Sequence, residues 1–216
     1  MSLKQIVIPA RAGSKGWVHK NRELLPYTLD IIPPAYKKYV LVSTDDDQIY
    51  ETAKDAGVKV EHRDPRLATD KSDIKGVLTN IGRRYKFKAN DLVIMLYLTY
   101  PKRDWNHINE MYLNFASNGY QSSLCRQPVL THPCLTMFEA PEGRGIQVLD
   151  HDLYQRQQYP TCFEISHYIC MYRHGELKYL NKNMYNEHTH FYNIDRCVDI
   201  DYKKDYNQML LLNEKY

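Results

Sequence analysis

An apolar β-branched stretch, Ile6-Val-Ile8, runs directly into a loop that carries Arg11, Gly13, Ser14, Lys15, Gly16 and Lys20, with Asn21 next to the last. Glycines let backbone N–H groups converge on an anion, and three cations neutralise what those groups hold. That is the equipment of a nucleoside-triphosphate site and makes an enzyme the leading reading. The loop is not a Walker sequence, because no Gly-Lys-Ser/Thr ends it. It is not Gly-x-Gly-x-x-Gly either, since only Gly13-x-x-Gly16 is present. Near the other end of the chain Asp199 and Asp201 are one residue apart. On a strand both would point to the same face, and two carboxylates on one face suit Mg²⁺, which takes oxygen ligands and commonly bridges to substrate phosphates.

Other candidates carry less. His188-x-His190 has metal-pair spacing but no cysteine or carboxylate at ligand distance in sequence. Cys125, Cys134, Cys162, Cys170 and Cys197 are scattered, without a Cys-x-x-Cys pair. They indicate neither a zinc knuckle nor a disulfide framework, and Cys162 and Cys170 read as small buried hydrophobes. A reduced, cytoplasmic setting follows. Lys and Arg (29) exceed Asp and Glu (26) by three, too few to argue for a nucleic-acid or membrane surface. No apolar run is long enough to span a bilayer, and the N-terminus enters a strand without a signal-peptide core. Nineteen tyrosines, concentrated after position 150, read as biased composition or an interface.

These groups must be positioned by a scaffold, and the first half alternates strand and helix patterns. Strands are expected at Ile6–Ile8, Tyr39–Ser43, Val58–His62 and Asp91–Tyr97, the last as a central parallel strand. A helix capped by Thr44 or Asp45 places Ile49, Ala53 and Ala56 on one face and stops at Gly57. Ser72 is expected to cap a helix with Ile74, Val77, Leu78, Ile81 and Tyr85 on one face. Another, from about Asp104, buries Ile108, Met111, Tyr112 and Phe115. The link between the first two strands, broken by Pro33-Pro34, leaves a turn or two of helix. Such alternation predicts an α/β, doubly wound, mostly parallel sheet with its sites at the strands' C-terminal edges. Prolines and glycines after Gln121 suggest a small inserted β arm or lid over about 126–165, within one domain spanning 1–216. The chain then returns through strands at Tyr168–Tyr172 and Val198–Asp201 to a helix over Asp205–Leu212.

The string Ile8-Pro-Ala-Arg-Ala-Gly-Ser-Lys-Gly16 with Lys20-Asn21 resembles the signature of the cytidylyltransferases that activate acidic nine-carbon sugars, the acylneuraminate (CMP-sialic acid) synthetases. Further resemblances follow in order: Val42-Ser-Thr-Asp45; Arg63 with Leu67-Ala68-Thr-Asp70; Thr99-x-Pro101-x-Arg103; Arg156-Gln157-Gln158; and Val198-Asp199-Ile-Asp201. The resemblance implies a nucleotide-diphospho-sugar transferase (GT-A-like) fold, with CTP and a sugar-acid acceptor as partners and Mg²⁺ as cofactor. The acceptor's anomeric hydroxyl attacks the α-phosphate of CTP, giving a CMP-sugar and pyrophosphate, and one aspartate helps deprotonate that hydroxyl. By resemblance, Arg11, Lys20, Asp199 and Asp201 are catalytic, and the two aspartates hold the metal. Ala10, Arg11, Gly13, Ser14, Lys15, Gly16, Asn21 and Arg63 bind the nucleotide, and Tyr97, Thr99, Arg156, Gln157 and Ser166 bind the acceptor. Family analogy adds a homodimer and a place in surface-polysaccharide biosynthesis.

The departures gather on the acceptor side. The family's Gln-Pro is Tyr97-Leu98 here, Lys71-Ser72-Asp73-Ile74 replaces small hydroxyl residues, and Glu164-Ile-Ser-His167 replaces Arg-Pro-Asn-Gly. A glutamate in place of that arginine would repel an acidic sugar if it faced one. Two other readings stay open: a glycosyltransferase using Asp199-Ile-Asp201 as its metal motif, and a nucleotide-binding relative without turnover.

Overall fold

The computed structural model describes residues 3–14, 16–69 and 71–213. In chain order the regular elements are β1 (Leu3–Pro9), α1 (Lys20–Asp30), α2 (Pro34–Lys37), β2 (Val40–Thr44), α3 (Asp47–Asp55), β3 (Lys59–His62), α4 (Ile74–Arg84) and β4 (Leu92–Met95). Then follow α5 (Trp105–Asn118), β5 (Ser122–Pro128), β6 (Met137–Ala140), β7 (Arg144–Gln147), β8 (Phe163–Arg173), β9 (His190–Asn193) and α6 (Lys203–Asn213). Seven strands form one sheet in the order β3-β2-β1-β4-β8-β5-β9. β3, β2, β1 and β4 are parallel, β8 is antiparallel to both β4 and β5, and β9 runs parallel to β5. The expected mostly parallel, doubly wound sheet is therefore present. β4, however, is parallel to β1 alone and antiparallel to β8.

The continuous apolar runs explain this arrangement. Every residue of β2 and β4 is buried, as is β1 from Gln5 onward, because helices cover both faces of the sheet. Ile6, Ile8, Val40 and Ile94 pack with Leu24 and Leu25 of α1, Ile49 and Ala53 of α3, and Ile108, Met111 and Phe115 of α5. The alternate residues Val7, Leu41, Val93 and Met95 pack with Val77, Leu78 and Ile81 of α4. The connection leaving β1 runs toward β2 and the one leaving β4 runs toward β5, on opposite sides of the β1–β4 pair in the strand order. Such a divergence opens a crevice at the C-terminal ends of the two strands.

Several local expectations are corrected. The first crossover helix has eleven residues, despite Pro26 inside it. Pro34 opens the short α2 at its first position, where a missing N–H costs nothing. α3 is capped by Asp46, which accepts from the amides of Gln48 and Ile49. Asp45 is engaged elsewhere, accepting from the Ala12 amide (2.9 Å), and Thr44 Oγ1 accepts from the Asp46 amide (3.0 Å). α4 is capped by Asp73 through the Gly76 amide (2.8 Å), while Ser72 donates to the Arg66 carbonyl (3.0 Å). Val198–Asp201 is not a strand. It is an irregular segment joined to the β4–α5 connection by a backbone bond, Ile200 N–H to the Thr99 carbonyl (2.8 Å). In the stretch read as the inserted arm, Gln127 pairs with Glu164 and Pro128 with Phe163 inside the main sheet. The separate two-stranded hairpin there is β6–β7.

Candidate active site

The crevice holds the loop that follows β1. Ala10, fully buried, extends the ladder by donating to the Ser43 carbonyl (2.9 Å). Asn21 Nδ2 donates to the Arg11 carbonyl (2.9 Å), and Asp45 takes the Ala12 amide, so the loop is tied to both α1 and β2. α1 begins at Lys20 after His19, which adopts a left-handed backbone (φ 61°). The Lys20 ammonium donates to the Ile200 carbonyl (2.9 Å) and to Asp201 Oδ1 (3.2 Å). Two segments 180 residues apart thus meet at one buried cation. Gly16 packs against the same segment, where a Cβ would fall 2.6 Å from the Asp201 carbonyl oxygen. Only glycine fits there without displacement.

A cavity of about 330 Å³ opens beside this junction, lined by Arg11, Gly13, Ser14, Lys20, Asn21, Arg63, Thr69, Ser72, Asp73, Tyr97 and Thr99, with Leu67, Ile74, Val77 and Leu98 as apolar wall. Arg63, 7% exposed, donates through Nη2 to the Ser43 carbonyl (2.7 Å) and through Nε to Ser43 Oγ (3.3 Å). Burial lowers its proton affinity while Asp45 and Glu61 support the charge. A guanidinium stays protonated in this setting. Arg11, Lys20 and Arg63 therefore bring three positive charges to one cavity.

Asp199 and Asp201 flank the fully buried Ile200. Asp199 is held, its Oδ2 accepting from the Tyr100 hydroxyl (3.0 Å), with Thr99 as a second donor. Burial raises its pKa above the usual carboxylate value. Thr99 and Tyr100 oppose that rise, and Asp201 adds to it. Asp201 is exposed apart from its contact with Lys20. Tyr97 and Tyr100 are both pushed above the ordinary phenol range by burial, so each remains a neutral hydroxyl.

Of the residues expected from sequence, Arg11, Gly13, Ser14, Lys20, Asn21, Arg63, Tyr97 and Thr99 line the cavity together. Lys15 and Asp70 lie outside the described residues. Ser166 is buried and does not line the cavity, with its hydroxyl 3.6 Å from Cys197 Sγ and within hydrogen-bonding reach of Tyr100. Arg156 and Gln157 sit exposed on a short 3-10 turn between β7 and β8 and do not line the cavity. Glu164 accepts from Gln127 Nε2 (2.7 Å) and Arg196 Nη1 (3.2 Å), so its charge is matched within the chain. His190 stacks on Tyr120 (centroids 4.2 Å apart) and meets Ser123 Oγ at 3.2 Å. No group of three or more His, Cys, Asp or Glu forms a metal cluster among the described residues. Cys170 is fully buried, which raises its thiol pKa and fits a structural role. Sequence reasoning missed Tyr100, which lies between the quoted Thr99 and Pro101. It also missed Asp73, whose position before the Ile74 periodicity was the available signal.

A switch-point crevice, a glycine-bearing loop after the first strand and three converging cations define an α/β protein with an anion-suited site at its strand ends. The family model for cytidylyltransferases matches residues 5–215. The chain belongs to the cytidylyltransferase family, as a divergent relative of its acylneuraminate members. It is 26% identical over 212 residues to an N-acylneuraminate cytidylyltransferase of Streptococcus agalactiae serotype V, covering 93% of this chain and 51% of that protein. It is 38% identical over 109 residues to a CMP-N,N'-diacetyllegionaminic acid synthase of Legionella pneumophila, covering 45% of this chain and 46% of the other. The chain spans about half the length of the curated relatives it matches. In fold it is similar to a CMP:2-keto-3-deoxy-manno-octonic acid synthetase complexed with CTP, at a TM-score of 0.69 and 13% identity over the whole of both chains. A 2-C-methyl-D-erythritol 4-phosphate cytidylyltransferase of Francisella tularensis gives a TM-score of 0.61 at 14% identity, over 97% of this chain and 99% of that one.

Proposed function

We propose that the chain transfers CMP from CTP to the anomeric hydroxyl of a sialic-acid-like sugar acid and releases pyrophosphate. The observation that carries this reading is the cavity shared by Arg11, Lys20 and Arg63, with Lys20 touching Asp201 at its edge. In nucleotidyl transfer most of the catalysis is positioning and electrostatic stabilisation. Arg11 and Lys20 neutralise the triphosphate and the departing pyrophosphate, and the amides of Gly13, Ser14 and Gly16 add fixed dipoles. Arg63, locked on Ser43, supplies a charge that does not reorganise as the phosphates change.

Asp199 and Asp201 offer an all-oxygen pair, one oriented by Tyr100, the other accessible beside Lys20. This donor set fits Mg²⁺, which binds through one or two carboxylates and completes its shell with water and phosphate oxygens. When bound, the ion supplies further neutralisation of the α-phosphate. The acceptor is a sugar acid that tolerates the Tyr97 phenol in place of an amide. The Glu164 charge, taken up by Arg196 and Gln127, does not oppose an acidic acceptor. A second copy of the chain is the proposed partner of the β6–β7 hairpin, where Phe138 (61% exposed) faces Ile146 (60%) across the strands. A two-stranded hairpin has no core of its own to cover such residues.

Calorimetric titration with CTP, UTP, ATP and GTP tests the nucleotide half of the reading. CTP is expected to bind tightest, and Lys20→Ala to weaken it by about tenfold or more, the loss of one charge-assisted contact. Equal binding of all four nucleotides would remove the cytidine assignment.

A further inference from the structure

Arg103 is a buried charge with no carboxylate partner among the described residues. Its side chain is 2% exposed and sits just before the Asp104 cap of α5. Nε donates to the Tyr168 carbonyl (2.7 Å) and Nη2 to the Tyr97 carbonyl (2.6 Å). Nη1 is buried with no hydrogen-bond partner among the described residues. The guanidinium lies 5.8 Å from the Tyr100 ring centroid and 5.4 Å from that of Tyr168. Burying a cation against carbonyl dipoles and ring faces alone is costly, and apolar side chains of similar volume often serve stability as well or better. Stability is therefore a poor account of this residue.

What its fork does is join two strand ends. The Tyr97 carbonyl lies just past β4 and the Tyr168 carbonyl lies within β8, the antiparallel neighbour of β4. Between Tyr97 and Arg103 runs the segment that grips the aspartate pair. The Thr99 carbonyl accepts from the Ile200 amide, and the Tyr100 hydroxyl donates to Asp199 Oδ2. The Arg103 amide in turn donates to the Tyr100 carbonyl (3.2 Å), closing the segment on itself. A shift of Tyr100 is thus passed to Asp199 through one hydrogen bond, while Arg11 is carried by the segment after β1, which is tied to Asn21 and Asp45.

We propose that Arg103 is a positioning residue for the cation-binding carboxylate Asp199, acting through Tyr100. This goes beyond the proposed transfer reaction and rests on that reading of the aspartate pair.

The test uses the full chain, metal-free CTP titration by calorimetry, and Mn²⁺ titration of the CTP-bound protein by electron paramagnetic resonance. Arg103→Met is expected to keep metal-free CTP affinity within about twofold and to weaken Mn²⁺ by about tenfold or more, the scale of lost support behind a metal ligand. Arg103→Lys, which keeps the charge but lacks the fork, should fall between. Tyr100→Phe should weaken Mn²⁺ to a similar degree, and adding Arg103→Met to it should cost less than about twofold more, since both act along one path. Arg103→Met with wild-type Mn²⁺ affinity and only a lower melting temperature would overturn the proposal. If Arg103→Met does not fold, wild-type Mn²⁺ affinity in Arg103→Lys overturns it equally. A wild-type protein that binds CTP but no Mn²⁺ would instead remove the metal-site reading itself.

Discussion

Gly16→Ala probes the junction on which the site depends. The added Cβ would lie 2.6 Å from the Asp201 carbonyl oxygen and 3.2 Å from two ring carbons of Tyr202. Ordinary contact begins near 3.4 Å, so the two segments must part by 3.4 − 2.6 = 0.8 Å. Neither side yields freely. The Asp201 segment is pinned by Ile200 N–H to Thr99 O (2.8 Å), and both the Asp201 and Tyr202 amides donate to Asp205 Oδ2 (3.1 and 2.8 Å). If Asp201 recedes, its 3.2 Å contact with Lys20 opens; if the loop recedes, the proposed phosphate cradle opens. Gly16 is not among the residues with positive φ, so the effect is steric rather than conformational. Overpacking of this kind costs about 1–3 kcal/mol. Urea unfolding should show that loss, and CTP titration should show an affinity about five- to hundredfold weaker. Gly13→Ala is the control, because its Cβ would meet nothing within 4 Å and its unfolding curve should match the wild type. A Gly16→Ala protein that unfolds and binds like the wild type would refute the argued closeness of the two segments.

Asp46→Ala removes the α3 cap and the 2.8 Å ion pair with Arg22, and should cost about 1–2 kcal/mol at pH 7. Burial pushes the Asp46 pKa up, but Arg22 and the Ile49 and Gln48 amides bring it below 3.8 overall. A depressed folded-state value stabilises above the unfolded pKa and is lost as pH falls through the folded one. The wild-type and mutant melting curves should therefore converge as the pH is lowered below 3.8. Arg63→Lys cannot reach both Ser43 atoms, and its CTP affinity should fall by about tenfold in calorimetry, with melting little changed. Phe138→Glu with Ile146→Glu should shift sedimentation from a dimer to a monomer; a dimer that persists would place the interface elsewhere.

The buried strands were legible because β2 and β4 are unbroken apolar runs, which only a doubly covered sheet accommodates. The helices α3, α4 and α5 were legible from their 3.6-residue spacing. Their caps were less so. Thr44, Asp45 and Asp46 are adjacent candidates, and the choice turned on a tertiary contact, Asp45 with the Ala12 amide. The alternation Val198-Asp-Ile-Asp201 put the two aspartates on one face of an expected strand, but alternation does not reveal whether a neighbouring strand is available. The phosphate-side residues are close in sequence or stand at the ends of adjacent parallel strands, so their convergence could be read. Tyr100 and Arg103 make contacts with residues 99 and 65 positions away, respectively, which no local pattern encodes. Arg156 and Gln157 show the converse, since their order along the chain carried no information about distance from the cavity.

Pyrophosphate release reports nucleotidyl transfer itself. The full chain is incubated with each nucleoside triphosphate, Mg²⁺ and a panel of sugar acids, and phosphorus NMR follows the products. The account predicts pyrophosphate and a CMP-sugar from CTP alone, dependent on an acceptor, and abolished by Asp201→Ala. CTP binding without pyrophosphate from any acceptor, or cleavage of a supplied nucleotide-sugar instead, would contradict it.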